Sequence, residues 1–116
     1  MTGATLEELQ RRLGEEGLTI LDVRSLGEYE GAIGAPCDPR QGHIPGARHL
    51  DLQELMGLTA AEMAQRLGDP AGAEVVAYCH SGQRSELAVR ILEAAGYRAR
   101  NYPGSWHEWS RSGPPG

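Results

Sequence analysis

The stretch Val75-Val76-Ala77-Tyr78-Cys79-His80-Ser81-Gly82-Gln83-Arg84-Ser85, followed directly by Glu86-Leu87-Ala88-Val89-Arg90-Ile91-Leu92, constrains this chain more than any other. A continuous apolar run of β-branched and aromatic residues stops at a cysteine; a short polar turn with one glycine follows, and then a helical pattern begins. The reading is strand, tight loop, helix. A thiol in that loop sits at the carboxyl end of a strand and just before a helix N-terminus, where unpaired N–H groups and the helix dipole favour negative charge. Cys79 is therefore expected to be a thiolate.

The rest of the chain supplies the partners of that unit. Thr5-Leu6-Glu7-Glu8 has the capping-box spacing, and a short amphipathic helix packing Leu6, Leu9 and Leu13 should run from it to Gly14. Thr19-Ile20-Leu21-Asp22-Val23 reads as a buried strand with Asp22 and Arg24 at its tip. From Ser25 to Arg48 glycine and proline are frequent and no period is clear. Most of this segment is expected to be loop, with a helical turn at Glu28-Tyr29-Glu30. Loops of that length inside a compact domain are often functional, which keeps Cys37, Asp38 and Arg40 in view.

Arg48-His49-Leu50 reads as a short strand and Asp51 to Leu55 as a helical turn. Thr59-Ala60-Ala61-Glu62 repeats the capping box ahead of a helix lined by Ala60, Met63, Ala64 and Leu67. After the central unit, whose helix stripe is Leu87, Ala88, Ile91, Leu92 and Ala95, come a strand from Tyr97 to Tyr102 and a short helix at Ser105-Trp106-His107-Glu108-Trp109. Fraying is expected from Arg111 to Gly116. Strands alternating with helical segments imply an α/β fold with a mostly parallel sheet covered on both faces. Cys79, Asp22 and Arg24 then meet at the carboxyl edge.

At 116 residues the chain is expected to be one domain, 1–116, able to bury about two thirds of its unfolded surface. Its net charge of -5 and its scattered arginines give no basic stripe, so neither nucleic acid nor an acidic membrane surface is an expected partner. No apolar run is long enough to span a bilayer and no leader pattern is evident, which makes a cytoplasmic location the expectation. Two cysteines cannot form a disulfide scaffold, and a reducing compartment would keep both thiols free. His43, His49, His80 and His107 show no metal-like spacing with the cysteines, and no metal or other cofactor is expected.

None of the residues His80, Ser81, Gly82, Gln83, Arg84 and Ser85 is proline, so each offers a backbone N–H, and Gly82 can take the positive φ that a tight cradle needs. Arg84 adds a full charge and His80 a proton or partial charge, both of which lower a thiol pKa. Donors that stabilise a thiolate equally stabilise a persulfide anion on the same sulfur.

These features resemble the rhodanese, or sulfurtransferase, family. The resemblance is carried by Asp22-Val23-Arg24, Glu28-Tyr29, Gly42-His43-Ile44-Pro45-Gly46-Ala47, the loop Cys79 to Ser85, Gly96-Tyr97, and Gly104 with Trp109, in family order from Leu18 to Trp109. It implies a five-stranded parallel sheet between helices and a catalytic Cys79. In this scheme the thiolate attacks the outer sulfur of a donor such as thiosulfate, carries a persulfide, and yields the sulfur to cyanide or a thiol. The loop amides and side chains from His80 to Ser85 would bind substrate. The expected partners are small-molecule donors and acceptors or a protein persulfide, and the expected state is a monomer or weak homodimer.

Phosphatases and arsenate reductases of similar fold place one residue more between cysteine and arginine than the four, His80 to Gln83, found here, which favours sulfur over a tetrahedral oxyanion. Glu28 stands where the two-domain sulfurtransferases of this family carry a donor-binding arginine. The resemblance thus leaves open a sulfur-carrier module serving a partner protein, or a missing cation supplied by Arg40 or His80. Asp22 and Arg24 are expected to brace the loops as an ion pair, and His43 to fix its turn by a hydrogen bond. Arg84 either contacts the anion or pairs outward with a carboxylate. Ser85 either caps the helix or touches substrate. Cys37 is either incidental or a resolving thiol, and Trp106 and Trp109 are expected to pack the last helix.

Overall fold

The computed structural model describes residues 3–72 and 74–112. Its four strands, β1 (Leu18–Asp22), β2 (Arg48–His49), β3 (Glu74–Tyr78) and β4 (Arg98–Asn101), form one parallel sheet in the order β2-β1-β3-β4. Among the described residues six α-helices accompany them: α1 (Leu6–Arg12), α2 (Leu26–Glu30), α3 (Leu52–Met56), α4 (Ala60–Leu67), α5 (Gln83–Ala94) and α6 (Ser105–Trp109). None of the described helices is long and apolar enough to cross a membrane.

Alternation along the central strands divides the core. Leu21, Val23, Val75 and Ala77 pack with Leu55, Met63, Leu67, Ala88 and Leu92 of α3, α4 and α5 on one face. Ile20, Val76 and Tyr78 pack with Leu9, Trp106 and Trp109 of α1 and α6 on the other. Both faces are covered, so β1 and β3 read as continuous apolar runs, as buried parallel strands do. From β1 the chain steps to β2 on one side and then across to β3 on the other, which opens a crevice between the carboxyl ends of β1 and β3.

Three expectations are corrected. Among the described residues the sheet has four strands where the family resemblance implies five. Among the described residues, the segment beyond β4 contributes one backbone bond, Ala4 N to Asn101 O at 2.8 Å, because the chain turns into α1 at the Thr5 cap immediately afterwards. Leu87 and Ala60 face solvent rather than the core, and Ser85 joins Ala88 and Leu92 on the inner face of α5. Arg111 and Ser112, expected to fray, are held: their amides donate to Glu108 O and Trp109 O, and Arg111 pairs with Asp38 at 2.8 Å. Positions 113–116 lie outside the described residues.

The crevice is braced by a buried ion pair. Arg24 donates from Nε and from the guanidinium to both oxygens of Asp22 at 2.6–3.1 Å, with both side chains almost wholly buried. Its guanidinium also reaches Gly42 O and lies over the rings of Tyr78 and Trp106. The Tyr78 hydroxyl closes the network, donating to Asp22 at 2.8 Å and accepting the N–H of Ile44 at 3.0 Å. The β1 tip, the 42–44 turn and β3 are thereby fixed to one another, and a buried polar network of this kind is stable only when complete.

Tyr78→Phe strands the buried Ile44 N–H and removes one of the bonds to an Asp22 oxygen that Arg24 still holds, and should cost about 1–3 kcal/mol. Urea unfolding is the check, with the midpoint lowered and the slope unchanged.

Candidate active site

Cys79 follows the last residue of β3 and is buried. Its N–H donates to Ser105 Oγ at 3.1 Å, and its carbonyl accepts from Trp106 N at 2.9 Å, which fixes the backbone on both sides of the thiol. Ser105 in turn donates to Tyr102 O and holds a positive φ of 53°, a strained setting for a serine.

The loop then turns inward on Gly82, whose φ is 95°. A Cβ there would lie 2.8 Å from Pro103 O, so both the backbone angle and the close approach demand glycine. The turn aims the Gly82 N–H at Cys79 Sγ, 3.0 Å away, and Ser85 Oγ lies 3.4 Å from the same sulfur. The first bond of the α5 ladder runs from Glu86 N to Gly82 O, so the N–H groups of Gln83, Arg84 and Ser85 precede it and open toward the loop. Burial alone pushes the Cys79 thiol up. The Ser85 hydroxyl and the N–H groups of Ser85, Ser81 and Gly82 outweigh it and bring the pKa below the usual thiol value.

Asn101, at the end of β4, is a site residue that the sequence did not single out. It donates from Nδ2 to Gly82 O at 3.1 Å and accepts the Ser85 hydroxyl on Oδ1 at 2.6 Å, clasping the loop from the side. Ser85 has one proton for two acceptors, Asn101 Oδ1 and the sulfur, so its donation to Cys79 grows as the sulfur gains charge. Only the strand-to-strand register brings Asn101 beside Ala77, and hence to the loop.

The charged residues sort themselves into pairs around this cradle. Arg84 donates to both oxygens of Glu28 at 3.0 and 3.2 Å, the outward pairing of the two alternatives. Glu28 also closes a capping box with Ser25 at the start of α2, a signature present in Ser25-Leu26-Gly27-Glu28 and not recognised from the sequence. Burial works to raise the Glu28 carboxyl, but Arg84 and the Ser25 N–H prevail and lower it to about 2. The pair therefore stays ionised across the range in which proteins are assayed. His80 Nε2 lies 2.9 Å from Asp38 Oδ2, and Arg111 takes the other oxygen of Asp38 at 2.8 Å. Glu28, Ile33, Gly34, Ala35, His80 and Arg84 line an open pocket of about 370 Å³ at the loop.

Arg40 lies apart from these groups. Its guanidinium caps the end of α6 through the carbonyls of Trp109, Ser110 and Ser112, so it holds the 36–42 segment rather than supplying a cation to the sulfur. Asp22 and Arg24 brace the crevice as expected, and His43 stacks on Tyr29 at 3.8 Å and bonds its carbonyl at 2.8 Å. Cys37 is exposed, Cys79 is buried, and both thiols are free.

Several known proteins resemble this chain. A family model described as a rhodanese-like domain matches residues 5–112. A thiosulfate sulfurtransferase of Pseudomonas aeruginosa is 35% identical over 115 residues, an alignment covering 91% of this chain and 42% of that protein. The putative sulfur carrier protein YrkF of Bacillus subtilis is 35% identical over 95 residues, covering 81% and 42%. The chain thus spans about two fifths of the length of these relatives. The crystal structure of a probable thiosulfate sulfurtransferase is 42% identical with a TM-score of 0.81, covering 97% of this chain and 46% of that one.

Ultraviolet titration of the thiolate in a Cys37→Ser chain should place the Cys79 transition below that of an unperturbed thiol, and Ser85→Ala should move it upward. The stability tied to this shift is present above the unfolded-state pKa and lost as pH falls through the folded one, so Ser85→Ala should narrow the stability gain between neutral and alkaline pH.

Proposed function

The chain belongs to the rhodanese-like domain family, and on that premise we propose that it is a sulfurtransferase working through a persulfide on Cys79. The observation that carries the reading is the convergence of Gly82 N–H and the Ser85 hydroxyl on Cys79 Sγ. The thiolate attacks the outer sulfur of the donor; the donor's S–S bond breaks and its electron pair leaves with the remaining fragment, sulfite when the donor is thiosulfate. The sulfur gained lies against the first-turn amides of α5, which stabilise its charge without reorganising. An acceptor nucleophile, cyanide or a thiolate, then bonds to that outer sulfur and the Cys79 thiolate departs. Cys79, with the amides from His80 to Ser85, performs the whole cycle, and no cofactor enters it.

A second reading, a sulfur carrier loaded by a partner protein, is favoured by one contact. Arg84 is spent on Glu28, so the cation that would draw in a dianion such as thiosulfate is already neutralised. The donor that suits this mouth has low charge, as does a persulfide on a small thiol or on a protein. The likeness to YrkF, itself named a putative sulfur carrier, agrees with this.

Intact-mass measurement after exposure to a sulfane donor should show the gain of one sulfur on Cys79, its loss on adding cyanide with release of thiocyanate, and neither event in Cys79→Ser. If the mass never rises with any sulfane donor, the persulfide mechanism is wrong. Glu28→Gln keeps the α2 capping box but releases Arg84. It should raise kcat/KM for thiosulfate about tenfold, as expected for one charge-assisted contact regained, and leave a neutral persulfide donor nearly unaffected. Equal effects on both donors would count against charge selection at the mouth.

A further inference from the structure

The spacing of histidines against cysteines points to no metal site, but the fold brings three ligand-type side chains together from residues far apart in the sequence. The ligand atoms of Asp38, His80 and His107 all lie within 4.8 Å of one another. We infer that Asp38, His80 and His107 form a binding site for a divalent transition-metal ion of the zinc type, beside the cysteine loop and independent of its sulfur.

The frame is built. The Asp38 side chain is fully buried, and Arg111 Nη1 holds its Oδ1 at 2.8 Å while also donating to His107 O at 2.7 Å. The backbone N–H of His107 donates to His80 O at 2.9 Å, so the two histidine-bearing segments are bonded to each other. A carboxylate with one oxygen fixed by a hydrogen bond and the other turned toward imidazoles is the usual arrangement of a metal-binding aspartate. Oδ2 and His80 Nε2 are 2.9 Å apart, and the His80 and His107 rings stand edge to face with centroids 5.7 Å apart. Tetrahedral zinc with bonds near 2.0–2.1 Å sets its ligands about 3.3 Å from one another. His107 is exposed, and its rotation can close the remaining gap.

The ionised Asp38 only accepts, so His80 Nε2 carries the proton of their bond. Metal binding replaces that proton, which moves to Nδ1 in the neutral ring, and no redox change occurs. The Arg111 charge offsets that of Asp38, so the imidazoles must supply most of the affinity. This favours zinc, and its neighbours in the transition series, over Mg²⁺ or Ca²⁺, which prefer several oxygens. Three protein ligands leave a coordination position open.

The test uses the Cys37→Ser/Cys79→Ser chain, so that no thiol contributes and the outcome does not depend on the sulfur chemistry. Titration with Zn²⁺ against a metallochromic indicator should give one equivalent bound and not displaced by excess Mg²⁺. His107→Ala and, separately, His80→Gln should each weaken binding at least about tenfold, with thermal unfolding of the metal-free variants confirming that they fold. No zinc bound by the double-serine chain, displacement by Mg²⁺, or full affinity retained in either histidine variant would overturn the inference.

Discussion

Gly82 turns through a positive φ with the carbonyl of Pro103 filling the space a Cβ would need, and the hydrogen bond from its N–H to the Cys79 sulfur depends on that turn. The turn is held from three directions. Asn101 clasps the Gly82 carbonyl, Ser105 anchors the Cys79 amide, and α5 begins at Gln83, where its open N–H groups face the loop. Each anchor comes from a different element, so the sheet order and the packing of α6 are prerequisites for the chemistry. A thiol in the same loop without that scaffold would be an ordinary buried thiol with a raised pKa.

Charge at this end of the sheet is nearly balanced pair by pair. Arg24 answers Asp22, Arg84 answers Glu28, and Arg111 answers Asp38. The uncompensated positive field at Cys79 therefore comes chiefly from backbone dipoles, which are short-ranged and directional. Such a field stabilises an anion already on the sulfur far better than it gathers anions from solution. That distinction supports the proposed reading, in which Cys79 holds a persulfide delivered by a donor of low charge.

Much of this was legible in the sequence because it rests on local patterns. The strand, cysteine, glycine and helix of residues 75–92 stand where their periodicities place them, and the Thr59–Glu62 capping box forms as its spacing predicts. The box at Thr5 forms only by half: Glu8 turns instead to Arg12 and Arg100, a contact that exists only once β4 is in place. Leu87 fits the helical stripe of α5, but the inner face is set by where β4 and the loop lie, and Ser85 takes that side. The Glu28–Arg84 pair, the clasp of Asn101 and the grouping of Asp38 with His80, His107 and Arg111 join residues between 16 and 73 positions apart. No periodicity or spacing rule reaches across such distances.

Whether the backbone amides of the loop carry the sulfur anion is read by amide NMR of the labelled protein in its thiolate and persulfide forms. Addition of one sulfur should move the N–H resonances of Gln83 and Arg84, the first-turn amides that open toward the loop, further downfield than any others, with Ser81, Gly82 and Ser85 already displaced relative to Cys79→Ser. Unchanged loop amides alongside large shifts in the Arg84 or His80 side chains would contradict it, because the charge would then rest on side chains instead.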